Sequence, residues 1–490
     1  MGARARRAQR DGDTDRRGDR RSGRDRHRVS IQQVEEVEGE ETPVPSARAA
    51  ELARLSPSRA ALELAWPGII EQSVSALGTA IVFAFVGHLG ATATAAVGAA
   101  GQFLFLLFPV WRSLAIGTIA VVSRRMGEGR PVEAADATRQ SLILGGLAGI
   151  VFGAGFVIFA APLLRLLGAS DDVVAIGAPF LAVIGATSGT ATVALIGTSA
   201  MRAAGDTRTP MFLALASVGV AVALAYLLID VLGIGPMGSA YASSIVWILN
   251  MIVVVVLLLR GVAGLSIAGG PWRLTRQTTR TLFAISLPSG LESATFSFGI
   301  LFLSGLVFRL STEDVAAHQI IGQIETFSFF PCIGFSAAAS ALVGQALGMG
   351  DPERARRAGW AAAGMALVWA TTAGITFLVV PSFLLGIFTI SGAVVTAGIG
   401  ALAVVGIGQP AQALIFALGG ALRGAGDTRY PLMVSLVNWF LVRLPLAYVF
   451  GFVFGLGLTG IWLGVTIDYF VRAALLAVRF RSGAWAKVRV

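Results

Sequence analysis

The sequence predicts an all-α polytopic membrane protein, in which twelve transmembrane helices form two six-helix lobes related by a parallel repeat. Three observations predict this fold: an apolar composition, twelve apolar stretches and a repeat that spans both halves of the chain. The 490 residues are 55% hydrophobic and 13% charged, and the mean hydropathy is +0.76. These values lie outside the range of soluble domains.

Each of the twelve apolar stretches has the length of a membrane span. A helix needs about 20 apolar residues to cross roughly 30 Å of hydrocarbon. In chain order, the predicted spans cover residues 62–86, 96–122, 138–161, 173–200, 210–230, 236–260, 281–308, 315–346, 358–380, 394–421, 431–453 and 458–480.

Arginine is concentrated in the loops that follow even-numbered spans, such as SRRMGEGR at 123–130 and PERARR at 352–357. The loops after odd-numbered spans, such as GHLGATAT, are neutral or acidic. Because cytoplasmic loops carry the excess of Lys and Arg, both termini and the basic loops are predicted to be cytoplasmic. We therefore expect a multi-pass protein of the plasma or inner membrane, whose net charge of +10 reflects topology and not a nucleic-acid partner.

The repeat is clearest in a charged segment. RAAGDTRTP at 202–210 has a near copy, RGAGDTRYP at 423–431, and seven of the nine positions are identical. The same offset along the chain, which we call the repeat offset, relates Glu71 to Glu292 and Gln102 to Gln323. An even number of spans returns the chain to the same side, so the two copies share one orientation and are related by an axis along the membrane normal. Two such bundles with a cleft between them are expected for alternating access.

Composition then divides the chain. The first residues hold eleven arginines by Arg28 and then an acidic patch, which indicates disorder. The predicted units are a disordered cytoplasmic tail (1–58), an N-lobe with spans 1–6 (59–262), a flexible cytoplasmic linker (263–280), a C-lobe with spans 7–12 (281–482) and a cytoplasmic C-terminus (483–490).

The repeated segment itself is predicted to be a cytoplasmic turn after the fourth and tenth spans. Its glycine suits the left-handed backbone that ends a helix, and its aspartate suits a hydrogen bond to the turn. An inner-gate contact between the lobes is the alternative. In either role, we expect the residues that bind a transported species to lie about half a membrane away from this segment. The turn or gate residues are Arg202, Gly205, Asp206, Arg423, Gly426 and Asp427.

Several motifs in order resemble one family. VGHLG ends the first span, AAHQI (Ala316 to Ile320) opens the eighth, LVGQALGMGDPERARR follows it, and the LRGAGDTR-type turns are paired. From about residue 60 to 480 the chain resembles the multidrug and toxic compound extrusion (MATE) family. The resemblance implies twelve helices in two lobes around a central cavity. It also implies export of amphipathic, often cationic compounds, driven by inward flow of Na⁺ or H⁺.

The partners and cofactors follow from this interpretation. We expect small organic substrates and the lipid bilayer as partners, a monomer, no enzymatic activity and no cofactor or metal beyond H⁺ or Na⁺ as the coupling ion. The only cysteine, Cys332, excludes an intrachain disulfide, and no GxxxxGK[ST] phosphate loop is present.

Four acidic residues within the spans are predicted to carry cation or proton coupling, because a bare carboxylate at mid-membrane costs roughly 2.5–3.5 kcal/mol. At about 1.5 Å rise per residue, each lies roughly 14–16 Å into its span. Two of them follow a proline by four residues, which allows a kink beside the carboxylate; acceptance of a hydrogen bond that holds helices together is the alternative. The four are Glu292, Glu71, Glu325 and Asp468.

Asp468 has a second interpretation. Arg443 in span eleven lies at a similar predicted depth, so a structural ion pair between Arg443 and Asp468 is predicted, with a proton relay as the alternative.

The family pattern is not complete. Many bacterial members carry an aspartate in span one where this chain has Val82, and some carry an acid in span ten where it has Gln412. Coupling through the four acids is therefore a hypothesis from this sequence alone.

A substrate cavity is predicted around the eighth span, where aromatic rings flank a carboxylate and suit a lipophilic cation. Phenylalanines that face lipid or a neighbouring helix are the alternative for each ring. The predicted lining is Glu325, Phe296, Phe327, Phe329, Gln323 and Gln102.

Two other functions are weighed. A flippase for lipid-linked saccharide or lipid, of the same superfold, is expected to hold more basic residues within its spans, whereas few buried basic residues are expected in this chain. An intramembrane prenyltransferase needs a DDxxD-type cluster, whereas Asp171 and Asp172 form a lone pair.

Overall fold

The computed structural model describes residues 47–166 and 168–488, apart from the side chains of residues 91 and 106–108. Eleven helices in this range are long and apolar enough to cross a membrane, and a bent pair, Thr92–Phe105 and Pro109–Gly127, makes the twelfth span. These helices confirm the predicted all-α fold. In chain order they are α1 Pro57–Gly87, α2 Ala91–Gly127, α3 Pro131–Leu166, α4 Asp171–Ala203, α5 Arg208–Val231, α6 Met237–Arg260, α7 Arg276–Val307, α8 Thr312–Gly348, α9 Pro352–Val379, α10 Gly392–Gly424, α11 Arg429–Val453 and α12 Gly457–Arg481.

Shorter elements complete the bundle. An N-terminal helix covers Ala47–Arg54, a helix of one and a half turns covers Pro381–Gly386, and a 3₁₀ turn covers Ala484–Lys487. Helix α11 is interrupted by two π-helical stretches, Asn438–Arg443 and Val449–Val453. We call the end of the bundle where α1 begins, and where the arginine-rich loops lie, the basic end.

The first helix of each lobe joins the two lobes at the basic end. Leu64 of α1 belongs to a buried cluster formed mostly by α8, α9 and α10 of the C-lobe. Its repeat equivalent, Ile285 of α7, packs in the same way into the N-lobe. Farther along, Val86 of α1 and its equivalent Val307 of α7 pack within their own lobes. The lobes therefore close against each other at the basic end.

Two equivalent glycines form a close crossing between the lobes. Gly127 ends α2, and its repeat equivalent Gly348 ends α8. A Cβ added at Gly348 would lie 2.1 Å from the carbonyl oxygen of Arg124, and one at Gly127 would lie 2.1 Å from that of Gln345. Because the two partners are repeat equivalents, the crossing lies on the pseudo-twofold axis, and only glycine allows the backbones to approach so closely.

The N-terminal helix corrects part of the predicted disordered tail. Arg48 Nε donates to the carbonyl of Gly205 in the N-lobe at 3.4 Å. On the other side, Arg354 Nη2 of α9 donates to the carbonyl of Leu52 at 3.2 Å. Residues 47–54 are helical because Leu52 is buried in the cluster that joins α1 to the C-lobe. The rest of the predicted tail, residues 1–46, lies outside the described residues.

The segment between the lobes also differs from the prediction of a flexible linker. Leu265 and Ile267 are fully buried against the N-lobe. Arg139 Nη1 of α3 donates to the carbonyl of Ile267 at 3.3 Å, and the backbone N–H of Thr275 donates to the Gln140 side chain at 2.9 Å. Burial of these apolar side chains holds the segment on α3, which the local composition of the segment does not predict.

The glycine crossing gives a first test. Gly348→Ala is expected to lower the midpoint of thermal unfolding of the detergent-purified protein, because overpacking costs about 1–3 kcal/mol. The control is Gly364→Ala, where the added Cβ on α9 meets nothing within 4 Å. The control should unfold at the same temperature as the wild type or higher, since alanine favours helix more than glycine does. Equal midpoints for the two variants would contradict the close contact.

Candidate functional site

Two equivalent ion pairs lie near the boundary between the lobes. Arg202 Nη2 of α4 donates to Glu71 Oε1 of α1 at 2.9 Å. Arg423 Nη1 of α10 donates to both carboxylate oxygens of Glu292 of α7, at 3.2 and 3.3 Å. The four side chains are between 9% and 17% exposed. The repeat has therefore kept a nearly buried charge pair at the same place in both lobes.

Side-chain direction explains why these residues meet. Side chains on an α-helix lean towards its N-terminus. Because α1 begins at the basic end, Glu71 leans towards that end. Arg202 stands in the last turn of α4, which ends there, so its side chain leans away from the loop and into the bundle. The same argument applies to Glu292 and to Arg423 in the last turn of α10.

This geometry corrects the expectation that the repeated segment and the acids are about half a membrane apart. The first residue of each copy, Arg202 or Arg423, contacts the acid directly. The two glutamates therefore lie within side-chain reach of the first residue of each copy. The sequence carried a signal for this contact, because the two glutamates and the two arginines share the repeat offset.

The rest of each copy forms a turn at the basic end. Gly205 and Gly426 have φ angles of +97° and +86°, which glycine adopts readily. Asp206 Oδ1 accepts from the backbone N–H groups of Arg208 and Thr209, both at 3.0 Å. In the second copy, Asp427 Oδ2 accepts from Arg479 Nε of α12 at 2.8 Å. The two copies thus differ, and their role as turns or as a gate stays a prediction.

Glu292 has more positive neighbours than Glu71 has among the described residues. Arg472 Nη2 of α12 lies 3.5 Å from Glu292 Oε1. Arg112 of α2 interacts electrostatically with Glu292 and Arg423 across the lobe boundary. Arg112 and Arg472 were not among the candidates from the sequence. The signal that was available is the presence of an arginine inside an apolar span.

A cavity of about 900 Å³, including its open part, lies between the lobes beside these pairs. Helices α1, α2 and α4 of the N-lobe and α8 and α10 of the C-lobe line it. Hydroxyl and amide groups at its wall include Ser199, Ser336, Ser340 and Gln72. Its charged lining residues are Glu71, Arg112, Arg202 and Arg423.

Glu325 lies in a different place, inside the C-lobe between α8, α10 and α12. Its Oε1 accepts from Gln412 Nε2 at 2.8 Å and from the Tyr469 hydroxyl at 3.1 Å. The repeat-equivalent positions in the N-lobe are apolar: Leu104, Ala191 and Ile248. This cluster therefore belongs to one lobe only.

Arg443 and Asp468 form a buried pair next to that cluster. Arg443 Nε donates to Asp468 Oδ2 at 2.8 Å, and its Nη2 donates to the same oxygen. The guanidinium carbon of Arg443 lies 4.0 Å from the ring centroid of Trp439 and 4.9 Å from that of Tyr469. Tyr469 thus connects this pair to Glu325.

The residues predicted to line a substrate cavity do not gather around the cavity described above. Phe296 packs edge-on against Trp439, with ring centroids 5.9 Å apart, and Phe329 packs against Phe416 at 4.7 Å. Phe327 is 70% exposed. The equivalent residues Gln102 of α2 and Gln323 of α8 are both exposed. Their contact with substrate, and that of Glu325, stays a prediction.

No group of three or more His, Cys, Asp or Glu side chains among the described residues could hold a metal ion.

Comparisons with known proteins agree on one family. A family model described as MatE matches residues 67–227 and 288–449, one match in each lobe. The chain is 27% identical over 439 residues to the "probable multidrug resistance protein NorM" of Thermotoga maritima, covering 87% of this chain and 92% of the relative. It is 30% identical over 440 residues to the protein of the same name in Rhodopseudomonas palustris, covering 86% and 90%.

Solved structures share the fold. A MOP superfamily transporter from Pyrococcus furiosus Vc1, described with a binding pocket of reversed polarity, superposes with a TM-score of 0.85 at 21% identity, covering 91% of this chain and 100% of that one. A multidrug resistance MATE family transporter in an outward-facing conformation superposes with a TM-score of 0.84 at 22% identity, covering 90% and 99%.

A double-mutant cycle tests the pair formed by Arg443 and Asp468. Arg443→Gln or Asp468→Asn alone leaves one buried charge without its partner, which costs about 3–5 kcal/mol. The double variant should recover most of the lost thermal stability in detergent. Arg356→Gln, at an exposed pair with Glu353, is the control and should not change the unfolding midpoint. A single variant with wild-type stability but without transport would favour the proton relay.

Proposed function

Because the chain belongs to the MatE family, we propose that it is a cation-coupled antiporter, driven by H⁺ or Na⁺, that exports amphipathic, cationic organic compounds by alternating access of its two lobes. The observation that carries the proposal is the equivalent pair of nearly buried carboxylates, Glu71 and Glu292, each held by an arginine near the lobe boundary. The relatives named as multidrug resistance proteins support the substrate class.

The packing of α1 and α7 supports alternating access. One part of each helix packs on the opposite lobe at the basic end, and the other part packs on its own lobe. Pro67 and Pro288 stand inside these helices, between the two parts. Because proline removes a backbone hydrogen bond and permits a kink, each helix has a place to bend when the lobes separate at the basic end.

Coupling follows from the charge at Glu292. When the lobes are closed at the basic end, its carboxylate is held by Arg423 and Arg472. Protonation, or Na⁺ bound to the carboxylate, would leave these guanidinium groups without their counter-charge and would disfavour this arrangement. A cation that binds differently to two conformations shifts the equilibrium between them, which is what coupling requires. Glu71 with Arg202 is the corresponding site of the N-lobe, and Glu325 and Asp468 are further candidates.

The basic loops support the orientation. With the basic end and both termini in the cytoplasm of a plasma or inner membrane, the closed side of the lobes faces the cytoplasm. Gln102 and Gln323, which are predicted to line the cavity, stand in the half of α2 and of α8 that is farther from the basic end. The proposal needs no enzymatic step and no cofactor besides the coupling ion, and a monomer contains both lobes.

One observation favours the alternative of a flippase for lipid-linked saccharide or lipid. Few buried basic residues are expected from the sequence, whereas the structure has four arginines that are less than 9% exposed: Arg139, Arg423, Arg443 and Arg472. Such arginines suit the phosphate groups of a lipid-linked sugar.

Transport by proteoliposomes distinguishes the two. Vesicles loaded with a fluorescent cation are challenged separately with a pH gradient and with a Na⁺ gradient. The exporter is supported if either gradient drives dye movement. It fails if neither gradient moves any of several cationic dyes while lipid-linked sugar is translocated.

The coupling role of Glu292 has its own test. Glu292→Gln is expected to abolish gradient-driven efflux while expression stays normal, because the amide cannot exchange a proton or offset a cation. Glu353→Gln, a carboxylate at an exposed ion pair on α9, is the control and should transport normally. If Glu292→Gln keeps the gradient-driven efflux of the wild type, the coupling role would be assigned to Glu325 or Glu71 instead.

A further inference from the structure

The N-terminal helix, Ala47–Arg54, contacts both lobes at the basic end. Its Arg48 side chain donates from Nε to the carbonyl of Gly205, in the turn between α4 and α5 of the N-lobe. On the other side, the carbonyl of Leu52 accepts a hydrogen bond from Arg354 of α9 in the C-lobe. This short helix therefore spans the boundary that opens at the basic end in the proposed alternating access.

Packing adds to the hydrogen bond on the N-lobe side. Gly205 has a φ of +97° and no side chain, so the N-terminal helix reaches its backbone. A Cβ added at Gly205 would lie 3.1 Å from Cγ of Arg48 and 3.1 Å from Cδ1 of Leu52. Leu52 is 2% exposed and also belongs to the buried cluster formed mostly by the C-lobe. One leucine side chain thus lies against both lobes, and separation of the lobes exposes part of it to water.

The N-terminal helix also lies beside a hydrogen bond that connects the lobes directly. Gln345 of α8 donates from Nε2 to the carbonyl of Ala203, the last residue of α4, at 2.8 Å. Gln345 is 2% exposed and lines a small cavity together with Leu52 and Ala53 of the helix. Because a hydrogen bond is stronger where water is kept away, the helix also strengthens this link between the lobes.

The repeat shows that these contacts are not a by-product of the duplication. The repeat equivalents of the N-terminal helix are residues 268–275, in the segment between the lobes. Arg48 corresponds to Gly269, which has no side chain that could donate a hydrogen bond. Leu52 corresponds to Arg273, which is exposed. Both contacts therefore exist at only one of the two equivalent turns.

The N-terminal helix is not close-packed on the C-lobe. A cavity of about 320 Å³, including its open part, lies between this helix and α1, α8 and α9. The helix has eight residues, which is little more than two turns. A short helix over a cavity has fewer contacts to lose than a transmembrane helix has, so it can leave one lobe while both bundles stay folded.

We propose that the N-terminal helix is a latch, anchored on the C-lobe through Leu52 and Arg354 and attached to the N-lobe at Gly205, that stabilises the arrangement in which the lobes are closed at the basic end. The inference rests on the alternating access of the proposed function, since only lobes that separate need a latch. Opening at the basic end breaks the contact between Arg48 and Gly205. A weaker latch therefore raises the fraction of open molecules, whichever compound is transported.

The test is a distance measurement between the lobes in the full chain. Spin labels are attached at Val132→Cys of α3 and Arg481→Cys of α12, two exposed positions at the basic end. The buried Cys332 is first replaced by alanine, so that only these two positions react. Double electron–electron resonance in nanodiscs then gives the ratio of open to closed molecules, without a gradient or a substrate.

Arg48→Ala and Leu52→Ala should each raise the ratio of open to closed molecules by about threefold or more, the effect of losing one hydrogen bond or part of one buried leucine. Arg54→Ala is the matched control, because it removes an exposed arginine from the same helix, and it should give the wild-type ratio. One distance distribution shared by the three variants overturns the latch, as does a shift of the first two towards the closed arrangement.

Dye transport by the same preparations reports on the antiporter separately. If Arg48→Ala and Leu52→Ala shift the distances while no preparation moves any cationic dye, the latch is supported and the export of cationic compounds is overturned. If the dyes are transported while the distances of these variants match those of Arg54→Ala, the antiporter is supported and the latch is overturned.

Discussion

An ionised carboxylate that is nearly buried among apolar helices is stabilised by a positively charged partner, and two such pairs constrain the arrangement of the lobes. Glu71 with Arg202, and Glu292 with Arg423, connect the first and fourth helices of their lobes. The first helix also packs against the opposite lobe at the basic end. Each ion pair thus holds to its own lobe the helix that joins the two. This also explains why the repeated charged segment begins with arginine, since that residue completes the pair.

The two lobes share this pair and differ in almost everything polar around it. The C-lobe adds Arg472 beside Glu292 and joins Glu325 to Gln412 and Tyr469 by hydrogen bonds. The N-lobe has apolar residues at the positions equivalent to the last three. Burial of polar groups costs free energy of desolvation, and an apolar packing of the same volume is often at least as stable. A network kept in one copy of a duplicated fold is therefore better explained by function than by stability.

The sequence predicted the fold because spans and repeats are properties of the chain alone. Length and hydropathy indicate each helix, and the constant repeat offset indicates two similar lobes. Contacts between distant helices depend on which helix faces meet. This dependence explains why the predictions for Arg202 and Leu265 are wrong. Arg202 was interpreted as a loop residue because its position was read along the chain, whereas its side chain points back into the bundle. Leu265 was interpreted as part of a flexible linker because local composition does not reveal a docking surface on α3.

Between the lobes, the glycine crossing and the charged cluster constrain the same interface in different ways. Gly127 and Gly348 bring two backbones into contact on the axis, and packing of that kind has no intermediate arrangement with comparable contacts. The closed interface is therefore either formed or broken. The pair of Glu292 and Arg423 near it, by contrast, depends on electrostatic attraction, which a change of charge at either residue would weaken. A two-state interface beside ionisable groups converts a small change in charge into a choice between two conformations, because packed interfaces are bistable and not continuously deformable.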